Sequence, residues 1–131
     1  MKIRILIVDD HPLVRDGLRV MLSLAPDIEI AGEATNGKEA LDWVSTHTAD
    51  VVLMDISMPV MNGIEATKRI KGIFSTLKII ILSMHNSQEY IEQVSQSGAS
   101  GYVLKCAGME SLFSAIRIAF AGTGKFAVVT D

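Results

Sequence analysis

Five short apolar runs, each followed by a stretch of helical periodicity, constrain this chain more than any other feature. The runs are Ile3 to Val8, Ile28 to Ala34, Val51 to Met54, Lys78 to Leu82 and Gly101 to Leu104. Each is too short for a helix and most are rich in β-branched residues, so each reads as a strand. Between them, apolar residues recur at helical spacing: Val14, Leu18, Met21 and Leu22; Ala40, Leu41 and Val44; Ile64, Ile70 and Ile73; Tyr90, Ile91 and Val94; Leu112, Phe113, Ile116 and Phe120. Pro12 fits a first helical turn, Pro26-Asp27 breaks the first helix, and Asn36-Gly37 and Asn62-Gly63 mark turns. Ser97-Gly98 reads as a helix stop. Strands apolar on both faces that alternate with helices imply a doubly wound α/β fold, here a five-stranded parallel sheet with five helices. From Gly122 the pattern is lost, and residues 122–131 read as the start of a linker.

Composition narrows the class. A length of 131 residues suits one domain, and the 49% apolar and 21% charged content is that of a compact soluble protein. The longest apolar runs are too short to cross a bilayer, and acids at Asp9 and Asp10 argue against a secretory leader. A lone cysteine, Cys106, excludes an internal disulfide framework and points to a cytoplasmic setting. A net charge of −3 gives no basic footprint for nucleic acid. Residues 1–65 carry eleven acids against five bases, and residues 66–131 four against seven.

In open parallel sheets, ligands bind outside the carboxyl ends of the strands. Asp9, Asp10, Asp55, Ser83 and Lys105 all fall at such ends and are expected to converge. Three neighbouring carboxylates repel one another unless a cation neutralises them, and Mg²⁺ suits an all-oxygen site. A carboxylate can also attack phosphorus to form an aspartyl phosphate. Phosphoryl transfer asks the protein mainly for positioning and charge neutralisation, which the Lys105 ammonium and Ser83 hydroxyl supply.

Leu6-Ile7-Val8-Asp9-Asp10-His11, Met54-Asp55-Ile56-Ser57-Met58-Pro59 with Gly63, the strand ending at Ser83, and Gly101-Tyr102-Val103-Leu104-Lys105 together resemble the receiver domains of two-component systems. Asp9-Asp10-His11-Pro12, Leu82-Ser83-Met84-His85 and Ala99-Ser100-Gly101-Tyr102 look most like the NarL/FixJ (LuxR-type) subfamily. The resemblance covers residues 2 to about 121 and implies a flavodoxin-like fold with strand order 2-1-3-4-5 and a receiver domain over residues 1–121. It implies Asp55 as phosphoacceptor and Mg²⁺ held by Asp10 and Asp55 directly, by Asp9 through water and by the Ser57 backbone carbonyl. Ser83 and Lys105 would hold the phosphoryl group. As Ser83 moves toward it, the aromatic ring of Tyr102 would turn inward and reshape an output surface. A sensor histidine kinase as donor, dimerisation on phosphorylation, and a helix-turn-helix DNA-binding domain beyond the linker follow from the same likeness. Three positions depart or vary: Cys106 stands where many receivers have proline, and Ser57 and His85 occupy positions that tune phosphoryl lifetime.

Other residues read more plainly. Lys68, Arg69 and Lys71 form a solvated helix face, Cys106 is a small loop residue, and Met54, Met58, Met61 and Met84 are packing residues. His11, His47 and His85 lack metal-ligand spacing and read as surface or loop positions. Tyr102 is expected half-buried. A phosphatase of the haloacid dehalogenase type would need a second acid two positions after the nucleophile, where Ser57 stands. Neither a phosphate-binding Gly-x-x-x-x-Gly-Lys loop nor a Gly-x-Gly-x-x-Gly turn occurs, which argues against nucleotide-dependent turnover. A stand-alone receiver acting by protein binding remains the main alternative to a transcription regulator.

Overall fold

The computed structural model describes residues 2–130 and shows a six-stranded, wholly parallel sheet flanked by five helices. In chain order these are β1 (Ile3–Val8), α1 (Pro12–Ser23), β2 (Ile28–Ala34), α2 (Gly37–Thr46), β3 (Val51–Asp55) and α3 (Gly63–Ile73). There follow β4 (Lys78–Ser83), α4 (Gln88–Gln96), β5 (Gly101–Leu104), α5 (Met109–Ala121) and β6 (Ala127–Val129). The strand order is β2-β1-β3-β4-β5-β6, so the expected 2-1-3-4-5 arrangement is present and extended by one strand. The expectation of five strands is corrected: β6 lies in the segment read as a patternless linker. It pairs in parallel with β5 in the register Gly101↔Ala127, Tyr102↔Val128 and Val103↔Val129. A strand of three residues is too short to show alternation, but its β-branched Val128-Val129 pair fits an edge.

The two faces of the sheet bury separate cores, as alternation along each strand dictates. Ile3, Ile5 and Ile7 of β1, Leu53 of β3, Ile80 of β4 and Val103 of β5 pack with Leu18 and Leu22 of α1 and Phe113 and Ile116 of α5. Leu6, Val52, Met54, Ile79, Ile81 and Tyr102 face the other way, against Ala40, Ile70 and Val94 of α2, α3 and α4. Caps fix the helix starts: Asn36 accepts a hydrogen bond from the Glu39 backbone N–H, and Asn62 from that of Glu65. Ile73 and Phe120, expected inward, are 66% and 42% exposed. Ile73 closes α3 about 90° around from the centre of the Thr67–Ile70 stripe, at 100° per residue, and Phe120 sits in the last turn of α5. Among the described residues, no helix is long and apolar enough to cross a membrane.

Candidate functional site

The strand ends deliver the expected residues to one edge. Asp9 follows β1 directly, Asp55 is the last residue of β3, Ser83 the last of β4, and Lys105 follows β5. Asp9, Asp55 and Ser83 are all buried. The Lys105 ammonium donates to Asp9 Oδ2 at 2.8 Å and lies 3.3 Å from Asp55 Oδ1, tying the ends of β1, β3 and β5 together. Asp55 Oδ1 also accepts from the Ile56 backbone N–H at 2.9 Å. The other oxygen of Asp9, Oδ1, accepts from the His11 backbone N–H at 2.9 Å and lies 3.0 Å from His11 Nδ1.

Charge is apportioned unevenly. Burial pushes the Asp9 carboxyl up, but hydrogen bonds from Lys105 and His11 and the nearby ammonium outweigh it and hold Asp9 below the ordinary carboxylate range. Asp55 goes the other way: burial dominates, Asp9 adds like-charge repulsion, and Lys105 only partly offsets them. Burial disfavours the Lys105 ammonium, yet its Asp9 hydrogen bond and the two carboxylate charges raise it above the usual lysine value. The edge is therefore an acid pocket in which the Lys105 ammonium sits between Asp9 and Asp55 and offsets the Asp55 charge only in part.

Asp9, Asp10, His11 and Asp55 each offer a ligand atom, and these atoms all lie within 4.8 Å of one another. Asp10 Oδ1 is buried and accepts no hydrogen bond, although His11 Nδ1 is 3.1 Å away. An orphaned carboxylate oxygen among two other acids is the position a hard cation would satisfy. The donor set fits Mg²⁺. Ser57 is exposed two residues past Asp55, in the loop that also holds Val60 at φ 70°, a strained value for a β-branched residue.

Gly63 brings α3 against the phosphoacceptor candidate. Its N–H donates to the Ile56 carbonyl at 2.8 Å, and a Cβ built on it would stand 2.0 Å from the Asp55 carbonyl oxygen. Tyr102, expected half-buried, is fully buried and points inward, its hydroxyl donating to the His85 carbonyl. Burial raises its pKa, with a hydrogen bond to Ser83 acting the other way. Ser83 Oγ accepts from the His85 N–H at 3.0 Å, so Ser83 and Tyr102 both hold the backbone of His85. Met84, read as packing, is 75% exposed because it lies beyond the end of β4. The residue missed in the sequence is His11: spacing between histidines gave no signal, whereas its adjacency to Asp9-Asp10 would have. No cis peptide occurs among the described residues.

A parallel α/β sheet that gathers three acids and a lysine at its carboxyl edge is the architecture of a receiver. Residues 5–117 match the family model for the response regulator receiver domain, and the chain belongs to that family, in its LuxR/NarL-type branch. Among its relatives, "Response regulator UvrY" of Escherichia coli (strain K12) is 43% identical over 120 residues, spanning 92% of this chain and 55% of that protein. The nitrate/nitrite response regulator protein NarL of the same strain is 36% identical over 118 residues, spanning 90% and 55%. The crystal structure of a LuxR-family two-component response regulator from Aurantimonas sp. SI85-9A1 superposes with a TM-score of 0.90 at 35% identity, covering 97% of this chain and 89% of that one. The chain spans about half the length of the curated relatives it matches. Members of the response regulator receiver family are generally not classical enzymes.

Proposed function

We propose that the chain is a phosphorylation switch in which Asp55 takes a phosphoryl group from the phosphohistidine of a sensor histidine kinase. An Asp55 carboxylate oxygen forms the new P–O bond as the donor's P–N bond breaks, and the released imidazole takes up a proton. The observation that carries this reading is Lys105, 2.8 Å from Asp9 and 3.3 Å from Asp55, a cation fixed beside an acid whose charge it offsets only in part. Asp9, Asp10, Asp55 and the Ser57 carbonyl are the residues to hold Mg²⁺, which would supply charge neutralisation to the transferred group. Asp55 provides the nucleophile, Lys105 shifts its ammonium toward the phosphoryl oxygens, and Ser83 gives its hydroxyl to another of them. Ser83 then releases the His85 N–H, and Tyr102, bonded to the His85 carbonyl, carries that change to the surface of α4, β5 and α5.

Autodephosphorylation resets the switch: water attacks the same phosphorus, the Asp55 Oδ–P bond breaks, and the carboxylate and inorganic phosphate are released. The relatives' greater length supports a further domain, and we place a DNA-binding transcription-regulatory module after residues 122–131, in a cytoplasmic protein. Phosphorylation-dependent homodimerisation belongs to the same reading; sedimentation that shows an unchanged monomer with and without a phosphoryl mimic would count against it.

The test is intact mass after incubation with Mg²⁺ and acetyl phosphate. Wild type is expected to gain a single phosphoryl adduct that requires Mg²⁺, and Asp55→Asn none. An adduct that persists in Asp55→Asn, or a wild type that takes none while a competent receiver does, overturns the assignment.

A further inference from the structure

We infer that His11 is a metal-ligating, specificity-determining residue of the acidic pocket, extending it from hard cations to first-row transition ions; this rests on the cation reading above. Two separations carry it. His11 Nδ1 lies 3.0 Å from Asp9 Oδ1 and 3.1 Å from Asp10 Oδ1. Neighbouring ligands of an octahedral ion with bonds of about 2.1 Å stand about 3.0 Å apart, so Nδ1 already has the spacing of an adjacent corner from each of the two carboxylate oxygens.

Hydrogen bonding alone leaves this group incomplete. Nδ1 carries at most one proton, and its aligned partner is Asp9 Oδ1, while Asp10 Oδ1 stays buried with no hydrogen bond. An ion bound by all three atoms would satisfy that orphan. It would also leave the Lys105 contact intact, because Lys105 uses the other Asp9 oxygen, Oδ2. The His11 ring is 62% exposed and caps nothing: α1 begins after it with no side-chain cap, and Val14 and Arg15 bond to its backbone carbonyl. Its orientation toward the acids therefore has no helix-capping explanation. Imidazole adds little for Mg²⁺, which takes oxygen, and much for Ni²⁺, Zn²⁺ or Cu²⁺. The chain thus gains a site where such an ion competes with Mg²⁺ for the acids around Asp55.

The experiment is calorimetric titration of the whole chain with Ni²⁺ and, separately, Mg²⁺, for wild type, His11→Ala and Asp10→Asn, with Cu²⁺ electron paramagnetic resonance on the first two. Circular dichroism checks that each variant is folded. His11→Ala is expected to lose at least ~10-fold in Ni²⁺ affinity with Mg²⁺ affinity unchanged, and the nitrogen hyperfine coupling of bound Cu²⁺ is expected to disappear. Asp10→Asn is expected to weaken both ions. Unchanged Ni²⁺ affinity in His11→Ala overturns the inference and leaves the cation site standing. An equal loss for Mg²⁺ and Ni²⁺ also overturns it, showing that His11 merely positions the acids. A wild type that binds neither ion removes the cation reading itself.

Discussion

Gly63→Ala is expected to lower the thermal unfolding midpoint by roughly 10 °C, for about 3 kcal/mol, and to slow phosphoryl uptake by about 100-fold. Helix propensity points the other way, since alanine in a helix is favoured over glycine by about 1 kcal/mol. Sterics decide the sign. The added methyl carbon would lie 2.0 Å from the Asp55 carbonyl oxygen and 3.0 Å from Met54 Cγ, and the first of these atoms is backbone that cannot rotate away. Relief requires α3 to lift off β3 by an ångström or more. The Gly63 N–H bond to the Ile56 carbonyl, which joins the start of α3 to the end of β3, opposes that movement. Any shift is passed directly to Asp55, which is why uptake suffers along with stability. Gly17→Ala is the control: that glycine is exposed in α1 with nothing within 4 Å of a new Cβ. There propensity acts alone and stability is expected to rise by up to about 1 kcal/mol. Differential scanning calorimetry and acetyl phosphate uptake read both effects. A Gly63→Ala protein with a wild-type midpoint would mean that the β3–α3 junction yields freely.

How much of this was legible before the structure depends on the range of the forces involved. The order of strands and helices follows from local periodicity, and the convergence of Asp9, Asp55, Ser83 and Lys105 follows from one topological rule about parallel sheets. Neither needs a side-chain coordinate. What escaped was set by contacts between distant residues. The Lys105–Asp9 bond joins positions 96 apart, and only the fold reveals that the ammonium favours Asp9 and leaves Asp55 the more poorly compensated acid. Tyr102 is fully buried because β4 and α4 close over it, whereas its own neighbours in sequence allow either position. Strand β6 has too few residues to announce itself, and its stability comes from β5 alongside and from Val129 packed on the core. Ile73 shows the converse limit: three residues after Ile70 it fits the helical pattern, but α3 ends there.

Lys105→Met is expected to cost about 2–3 kcal/mol at pH 7 in the absence of divalent cations, because it strands two buried carboxylates. Methionine keeps most of the apolar stem, so the loss is electrostatic and its pH dependence identifies it. In wild type the Asp9 pKa is depressed, so its ionised form contributes stability that is present above about 3.8 and lost as pH falls through the lower folded value. Without Lys105 the hydrogen bond and the ammonium are gone, only the His11 hydrogen bonds still oppose burial, and the folded pKa of Asp9 moves up. The stabilisation that ionised Asp9 gives near neutrality shrinks accordingly. Asp55, already raised, moves further in the same direction. The gap between wild type and variant is therefore widest near neutrality, narrows as pH falls into the carboxylate range and closes only below the depressed folded pKa of wild-type Asp9. It also closes at very high pH, where wild type loses the contribution of Lys105 as pH passes its raised folded pKa. Denaturant titrations across pH measure this directly; a constant gap would assign the effect to packing of the lysine stem. Added Mg²⁺ is expected to narrow the gap at pH 7, since the uncompensated acids bind it more tightly. Phosphoryl uptake should nevertheless stay lost in the stabilised variant, because a cation placed among the acids does not replace an ammonium aimed at the incoming oxygens.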